Sequence, residues 1–192
     1  MTARKEFYVG IVGGSLVGLS AAVAAGKANM AITAFERSSA GTQEGGGGLG
    51  VDVEVIQRVT GAMSSPPVCH GPDRDTTAWH LLRDWFERVV ASRPSIKLCH
   101  DATVTKVIDR GSTIEVEPLD GRCWAGDVVI GLDGVHSTVC HFVDHDQHKC
   151  CVTQRVGRDC SSWVELAMAP YLERYWDQLT SISSTMRHVR SW

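Results

Sequence analysis

The chain has 192 residues, enough to bury a core and to form one domain or one and a part. Its 19 basic residues against 22 acidic ones leave a slight negative charge, and Lys and Arg are scattered, which gives no basic footprint for nucleic acid. No stretch approaches the ~20 apolar residues of a membrane span, the first apolar run is too early and too glycine-broken for a cleaved signal, and seven cysteines without framework spacing suit a reducing, cytoplasmic setting.

The first elements in chain order are the most informative. A β-branched, apolar stretch at residues 7–12 is predicted to be a strand, and it runs into Gly13-Gly14-Ser15-Leu16-Val17-Gly18. An Ala-rich helix follows, then a second apolar strand at residues 31–35 that ends on Glu36-Arg37. This strand–loop–helix–strand–acid order is that of a dinucleotide-binding βαβ unit. Gly13 permits the turn out of the strand, Gly18 lets the helix lie close on the sheet, and the free amides at the helix start point at a pyrophosphate. Glu36 follows at about the 20-residue spacing at which an acid accepts the ribose hydroxyls. Ser15 stands where the G-x-G-x-x-G pattern has its middle glycine; its Cβ narrows the gap, and its hydroxyl supplies a donor for a phosphate oxygen.

Residues 38–50 read as a glycine-rich loop centred on Gly45-Gly46-Gly47-Gly48, and residues 51–60 as a helix with Val51, Val55, Ile56 and Val59 on one face. Residues 62–75 read as loop. Thr76 or Thr77 is expected to cap a helix at 78–91 whose apolar stripe is Leu81, Leu82, Trp85, Val89 and Val90. A short strand at 95–98 precedes an alternating hairpin, 103–108 with 113–117. Residues 126–131 form a continuous apolar run of the kind buried in a parallel sheet, and Asp133-Gly134 follow where open α/β sheets bind ligands. Past about Phe142 the pattern deteriorates: no further buried strand is expected, and residues 162–179 form helix only in pieces because Pro170 interrupts them.

Three stretches resemble the FAD-dependent monooxygenases of the para-hydroxybenzoate hydroxylase type. Gly13 to Gly18 with Glu36-Arg37 looks like that family's first FAD fingerprint, Gly48-Leu49-Gly50 resembles its later glycine segment, and Gly131-Leu132-Asp133-Gly134-Val135-His136-Ser137 is similar to its Gly-Ala-Asp-Gly-x-x-Ser motif. The resemblance covers about residues 7–140 and implies an α/β, Rossmann-like FAD/NAD(P)-binding domain with a parallel sheet and a small antiparallel layer. It implies FAD as cofactor, NAD(P)H as electron donor and hydroxylation of an aromatic or similar small molecule. Carried over position by position, Gly13, Gly14, Ser15, Leu16, Val17 and Gly18 would hold the pyrophosphate and Glu36 the adenosine ribose, with Arg37 beside it. Gly48 would belong to the glycine segment, and Asp133 with Gly134 to the ribityl and pyrophosphate region. Cys140 stands where the family commonly has an arginine, and the family's later Gly-Asp motif and substrate sheet have no counterpart here. The chain therefore reads as a shortened form, residues 1–142 as the FAD-binding domain and 143–192 as a divergent, partly helical tail. Weak FAD binding and no coupled hydroxylation are expected of it.

No residue stands out as an acid–base catalyst; His80, His100 and His136 read as packed or surface histidines. The cluster Cys140, His141, His145, His148, Cys150, Cys151 and Cys160 lacks the paired spacing of a zinc site, and no metal is expected. Trp163, Leu166, Tyr175, Trp176 and Leu179 are candidates to patch apolar faces left open by the missing half. Two other readings remain at this point: an NAD(P)-dependent oxidoreductase, in which Glu36 disfavours a 2′-phosphate, and a nucleotide-binding remnant without turnover.

Overall fold

The computed structural model describes residues 6–41, 47–61, 65–134, 136–143 and 165–168. In chain order the elements are β1 (Tyr8–Val12), α1 (Leu16–Lys27), β2 (Ala31–Phe35), β3 (Gly48–Val51), α2 (Val53–Thr60), β4 (Asp75–Ala78) and α3 (Trp79–Ala91). There follow β5 (Ile96–Cys99), β6 (Val104–Asp109), β7 (Ile114–Pro118), β8 (Trp124–Gly126), β9 (Val128–Gly131), α4 (Thr138–Val143) and β10 (Glu165–Met168). The central sheet has the order β10-β9-β1-β2-β5; β9, β1, β2 and β5 run parallel, and β10 runs antiparallel on β9.

Strand periodicity divides the core into two faces. Val9 and Ile11 of β1, Ile32 and Ala34 of β2, and Val128 and Ile130 of β9 pack toward α1, α2 and α3. The intervening Val12, Phe35 and Val129 pack the other way, against Val104, Val107, Ile114 and Val116 of the antiparallel sheet β6-β7-β8. Successive side chains of a strand leave on opposite faces, so strands covered on both sides must be apolar at nearly every position. Each fully buried Val or Ile contributes about 1.5–3 kcal/mol relative to exposure. Ala21, Ala22 and Ala25 give α1 a low surface, which lets it lie between the sheet and α3. On the opposite face the Trp124 ring covers β1, where a Cβ on Gly10 would meet it at 2.7 Å, and it stands edge-on to Phe35 with ring centroids 5.9 Å apart. The result is three layers: helices, parallel sheet, antiparallel sheet.

The expected α/β architecture with a parallel sheet and a small antiparallel layer is therefore present, with five local corrections. The glycine-rich stretch is not all loop: Gly48–Val51 pairs antiparallel with Asp75–Ala78, a ladder without an apolar alternation to announce it. Thr76 and Thr77 lie in that strand rather than capping α3, whose N-cap is Ala78; the Thr77 hydroxyl donates to the Pro67 carbonyl instead. Val51 belongs to β3, and Leu81, placed in the α3 stripe, is 46% exposed, while Arg83 and Phe86 are buried in its stead. The run 126–131 is split: Gly126 ends β8 in the antiparallel layer and Val128 starts β9, because Asp127 turns out and its carboxylate accepts from the Tyr8 amide at 2.9 Å. Finally, a strand does occur beyond Phe142, at Glu165–Met168 on the free edge of β9. Apart from Leu166, whose backbone belongs to that strand, the residues proposed as an apolar patch lie outside the described residues, as do His145, His148, Cys150, Cys151 and Cys160. Among the described residues no helix is long and apolar enough to cross a membrane, and no group of three potential metal ligands occurs.

Asp52 caps α2, its carboxylate accepting from the Val55 amide at 3.1 Å. The Asp52→Ala variant is expected to lose about 1 kcal/mol, read as a lower urea midpoint at unchanged slope.

Candidate functional site

The register of the parallel strands builds the site. Val12 pairs with Phe35 on one side and with Gly131 on the other, so the three chains leave the sheet level with one another. Gly13, Glu36 and Leu132 are therefore brought to the same carboxyl edge. Backbone hydrogen bonds fix the arrangement: the Gly13 amide donates to the Phe35 carbonyl at 2.9 Å, the Leu132 amide to the Val12 carbonyl at 2.7 Å, and the Glu36 amide to the Cys99 carbonyl at 2.8 Å.

Gly13 has φ +108°, in the region that favours glycine, and a Cβ there would also strike the Leu132 carbonyl and the Asp133 amide. Gly18 lies in the first turn of α1 directly against the Gly13 carbonyl oxygen, with no room for a methyl group. The loop is thus closed on itself and on the 132–133 segment. Ser15 is the N-cap residue of α1 in extended conformation, but its side chain makes no capping bond, and the first turn carries no acid. The amides of the first turn of α1 are therefore not capped by the Ser15 side chain or by an acid of that turn. Leu16 and Val17 occupy the first turn and pack partly on the core.

Glu36 is 4% exposed. Its Oε2 accepts from the Gly14 amide at 2.8 Å and its Oε1 from the Ser38 amide at 2.8 Å. The carboxylate therefore ties the glycine loop to the turn that follows β2, and each oxygen retains a second lone pair. The sequence pattern placed Glu36 at the site but did not reveal this bracing role, because the pairing with Gly14 exists only once β1 and β2 are in register. Arg37, next to it, is exposed.

Asp133 follows β9 on the other side. Its Oδ2 accepts from the Thr138 amide at 2.7 Å, which with the Ser137 hydroxyl on the Cys140 amide at 2.9 Å starts α4. Its Oδ1 is buried and has no hydrogen-bond partner among the described residues. A desolvated carboxylate oxygen without a donor is costly. Gly134, with φ +87°, is exposed and open on the side of its absent Cβ. Gly48 is separate from this group: it lies in β3, opposite Ala78, exposed, with nothing within 4 Å of a Cβ position. Among the histidines, His80 and His100 are half-buried and His136 is exposed.

Taken together, Glu36, the 13–18 loop with the α1 N-terminus, and Asp133 form a line along one sheet edge: acceptor, donors, acceptor. Such an order suits a ribose, a diphosphate and a polyol chain in succession. Sequence reasoning missed the Ser137 cap and the polar group Arg83, Glu87 and His100 beneath the turn at Ser38. The spacing of Arg83 and Glu87, one helical turn apart, was the available signal.

The chain is similar to known FAD-dependent monooxygenases. The FAD-dependent monooxygenase olcE of Penicillium canescens is 28% identical over 163 residues, which cover 70% of this chain and 35% of that protein. The crystal structure of FqzB matches with a TM-score of 0.63 at 18% identity, covering 75% of this chain and 40% of that one. The structure of 2,6-dihydroxypyridine-3-hydroxylase from Arthrobacter nicotinovorans matches with a TM-score of 0.59 at 18% identity, covering 73% and 40%. No family model matches. The chain thus spans between a third and two-fifths of the length of these relatives, and it shares their fold over most of its own.

Proposed function

We propose that residues 1–142 form an FAD-binding unit and that the chain serves a monooxygenase that uses NAD(P)H to hydroxylate an aromatic or similar small molecule. The observation that carries this reading is the buried Asp133 Oδ1, without a partner among the described residues, standing on the same sheet edge as Glu36 and the glycine loop. A cofactor with an adenosine, a diphosphate and a ribityl chain has groups for all three; a simple nicotinamide dinucleotide has no need of the second acid. The names of the similar proteins support the same choice.

Each residue has a part in that reading. Glu36 accepts from the ribose hydroxyls with the lone pairs that Gly14 and Ser38 leave free, and a 2′-phosphate there is repelled. The amides of Ser15, Leu16, Val17 and Gly18, with the Ser15 hydroxyl, donate to the diphosphate at the start of α1, while the Gly14 amide stays with Glu36. Gly13 keeps the loop tight enough for this approach. Asp133 accepts from the polyol, Gly134 leaves room beside it, and Arg37 follows Glu36 at the ribose end. Bound FAD, once reduced, supplies the oxygen chemistry; the protein binds, orients and limits access of water.

The purified 192-residue chain is expected to quench flavin fluorescence on titration with FAD, and ADP is expected to compete. The Asp133→Asn variant keeps an acceptor for Thr138 but turns the unpaired oxygen into an amide. It is expected to weaken FAD binding about tenfold or more while leaving ADP affinity unchanged. Absence of quenching at millimolar FAD, or an equal loss for ADP and FAD in the variant, would overturn the reading.

A further inference from the structure

Outside the loop site, the side chain that most needs explanation is Arg83, 1% exposed and among the largest fully buried groups of the fold. A guanidinium so placed needs compensation. Glu87, one turn along α3, forms an ion pair with it, an oxygen 2.7 Å from Nη2 but outside hydrogen-bond geometry, and the guanidinium carbon stands 5.9 Å from the centre of the Trp79 ring. The same Glu87 oxygen lies 3.8 Å from His100 Nε2. His100 sits just beyond β5, and its other nitrogen, Nδ1, is 3.3 Å from the Ser38 carbonyl oxygen. A carbonyl only accepts, so this contact places the proton on Nδ1. The same carbonyl receives the Asp101 amide at 3.3 Å, and the Ser38 amide in turn donates to Glu36 Oε1. Hydrogen bonds thus link His100 through the Ser38 turn to the acid at the end of β2, and Glu87 stands between Arg83 and His100 at ion-pair distances.

Buried ionic and polar groups give a fold no more stability than well-packed apolar residues of the same size. What this set does provide is direction, since it converges on a single backbone turn. We infer that Arg83, Glu87 and His100 form a brace that holds the Ser38 turn, making His100 a positioning residue for the Glu36 carboxylate and hence for adenosine affinity. The consequence for a nucleotide rests on Glu36 being the ribose acid; the brace itself does not.

Two amide substitutions separate this role from mere packing. In His100→Asn the side-chain amide nitrogen takes the place of Nδ1 and retains a donor for Ser38. In His100→Gln it takes the place of Nε2, toward Glu87, and the Ser38 contact is lost. In the full chain, His100→Gln is expected to weaken ADP binding by about two- to twelvefold and to speed hydrogen exchange of the Ser38 amide by a similar factor, as the loss of one hydrogen bond implies. His100→Asn is expected to stay within about twofold of the parent in both and to keep the higher thermal midpoint of the two variants, since only it retains the Ser38 bond. Equal behaviour of the two variants in Ser38 exchange overturns the brace. Failure of the parent chain to bind ADP overturns the ribose reading instead, and the exchange rates still decide for or against the brace.

Discussion

Alanine at Gly18 is expected to be among the most damaging methyl additions at the described glycines. Its Cβ would fall inside the contact distance of the Gly13 carbonyl oxygen, and that atom belongs to backbone rather than to a flexible side chain. The usual relief, a small shift of the neighbour, is blocked because Gly13 is held by its positive φ and by its hydrogen bond to the Phe35 carbonyl. Overpacking against an unyielding partner costs about 3–5 kcal/mol, at the top of the range for single substitutions. Against a typical total of about 5–15 kcal/mol, this removes a large part of the stability. A urea titration should show the midpoint falling steeply, with FAD quenching lost at the same time. Gly48→Ala is the matched control: nothing lies within 4 Å of its Cβ position, so stability should change by less than about 0.5 kcal/mol. Equal stability of the two variants would show that the loop does not close on Gly13 as described. If Gly48→Ala weakens FAD binding at unchanged stability, the β3 segment touches the cofactor.

Removal of the Glu36 carboxylate is expected to damage fold and binding together. Glu36→Ala leaves the Gly14 and Ser38 amides without their acceptor at a buried position, which costs about 2–5 kcal/mol in stability. Glu36→Gln is the more informative variant. Its amide can present an oxygen to one of the two backbone donors, but must then turn an NH₂ group toward the other, so it is expected to recover only part of the loss. Loss of the charge-assisted bonds to a ribose would further weaken FAD affinity by about ten- to a hundredfold, measured where both proteins remain folded. A wild-type unfolding midpoint for Glu36→Ala would remove the carboxylate from the bracing of the loop; unchanged FAD affinity would remove it from the ribose.

The tie between stability and binding at Glu36 follows from the geometry of parallel strands. A residue placed just beyond β2 must satisfy the backbone of its own turn and the neighbouring loop before it can serve a ligand. The same holds at Asp133, which gives one oxygen to the start of α4 and leaves the other without a partner among the described residues.

What the sequence by itself determined was local and periodic. The runs Tyr8–Val12, Ala31–Phe35 and Val128–Gly131 are apolar at nearly every position, which only strands covered on both faces tolerate, and their order with the glycine loop and Glu36 implies a parallel sheet. The β6–β7 hairpin was equally plain, from its alternation and its turn residues. What only the tertiary structure decided depends on partners distant in the chain. Gly48–Val51 becomes a strand because Asp75–Ala78 offers it hydrogen bonds, not because of its own composition. Arg83 is buried in a stripe otherwise apolar because Glu87 and Trp79 receive it there. Gly126 and Val128, neighbours in one apolar run, enter different sheets because Asp127 is turned out to meet the Tyr8 amide. Register does the rest: one-dimensional spacing places Glu36 near a glycine loop, but the pairing of Val12 with both Phe35 and Gly131 is what sets Gly14, Glu36 and Asp133 along one edge.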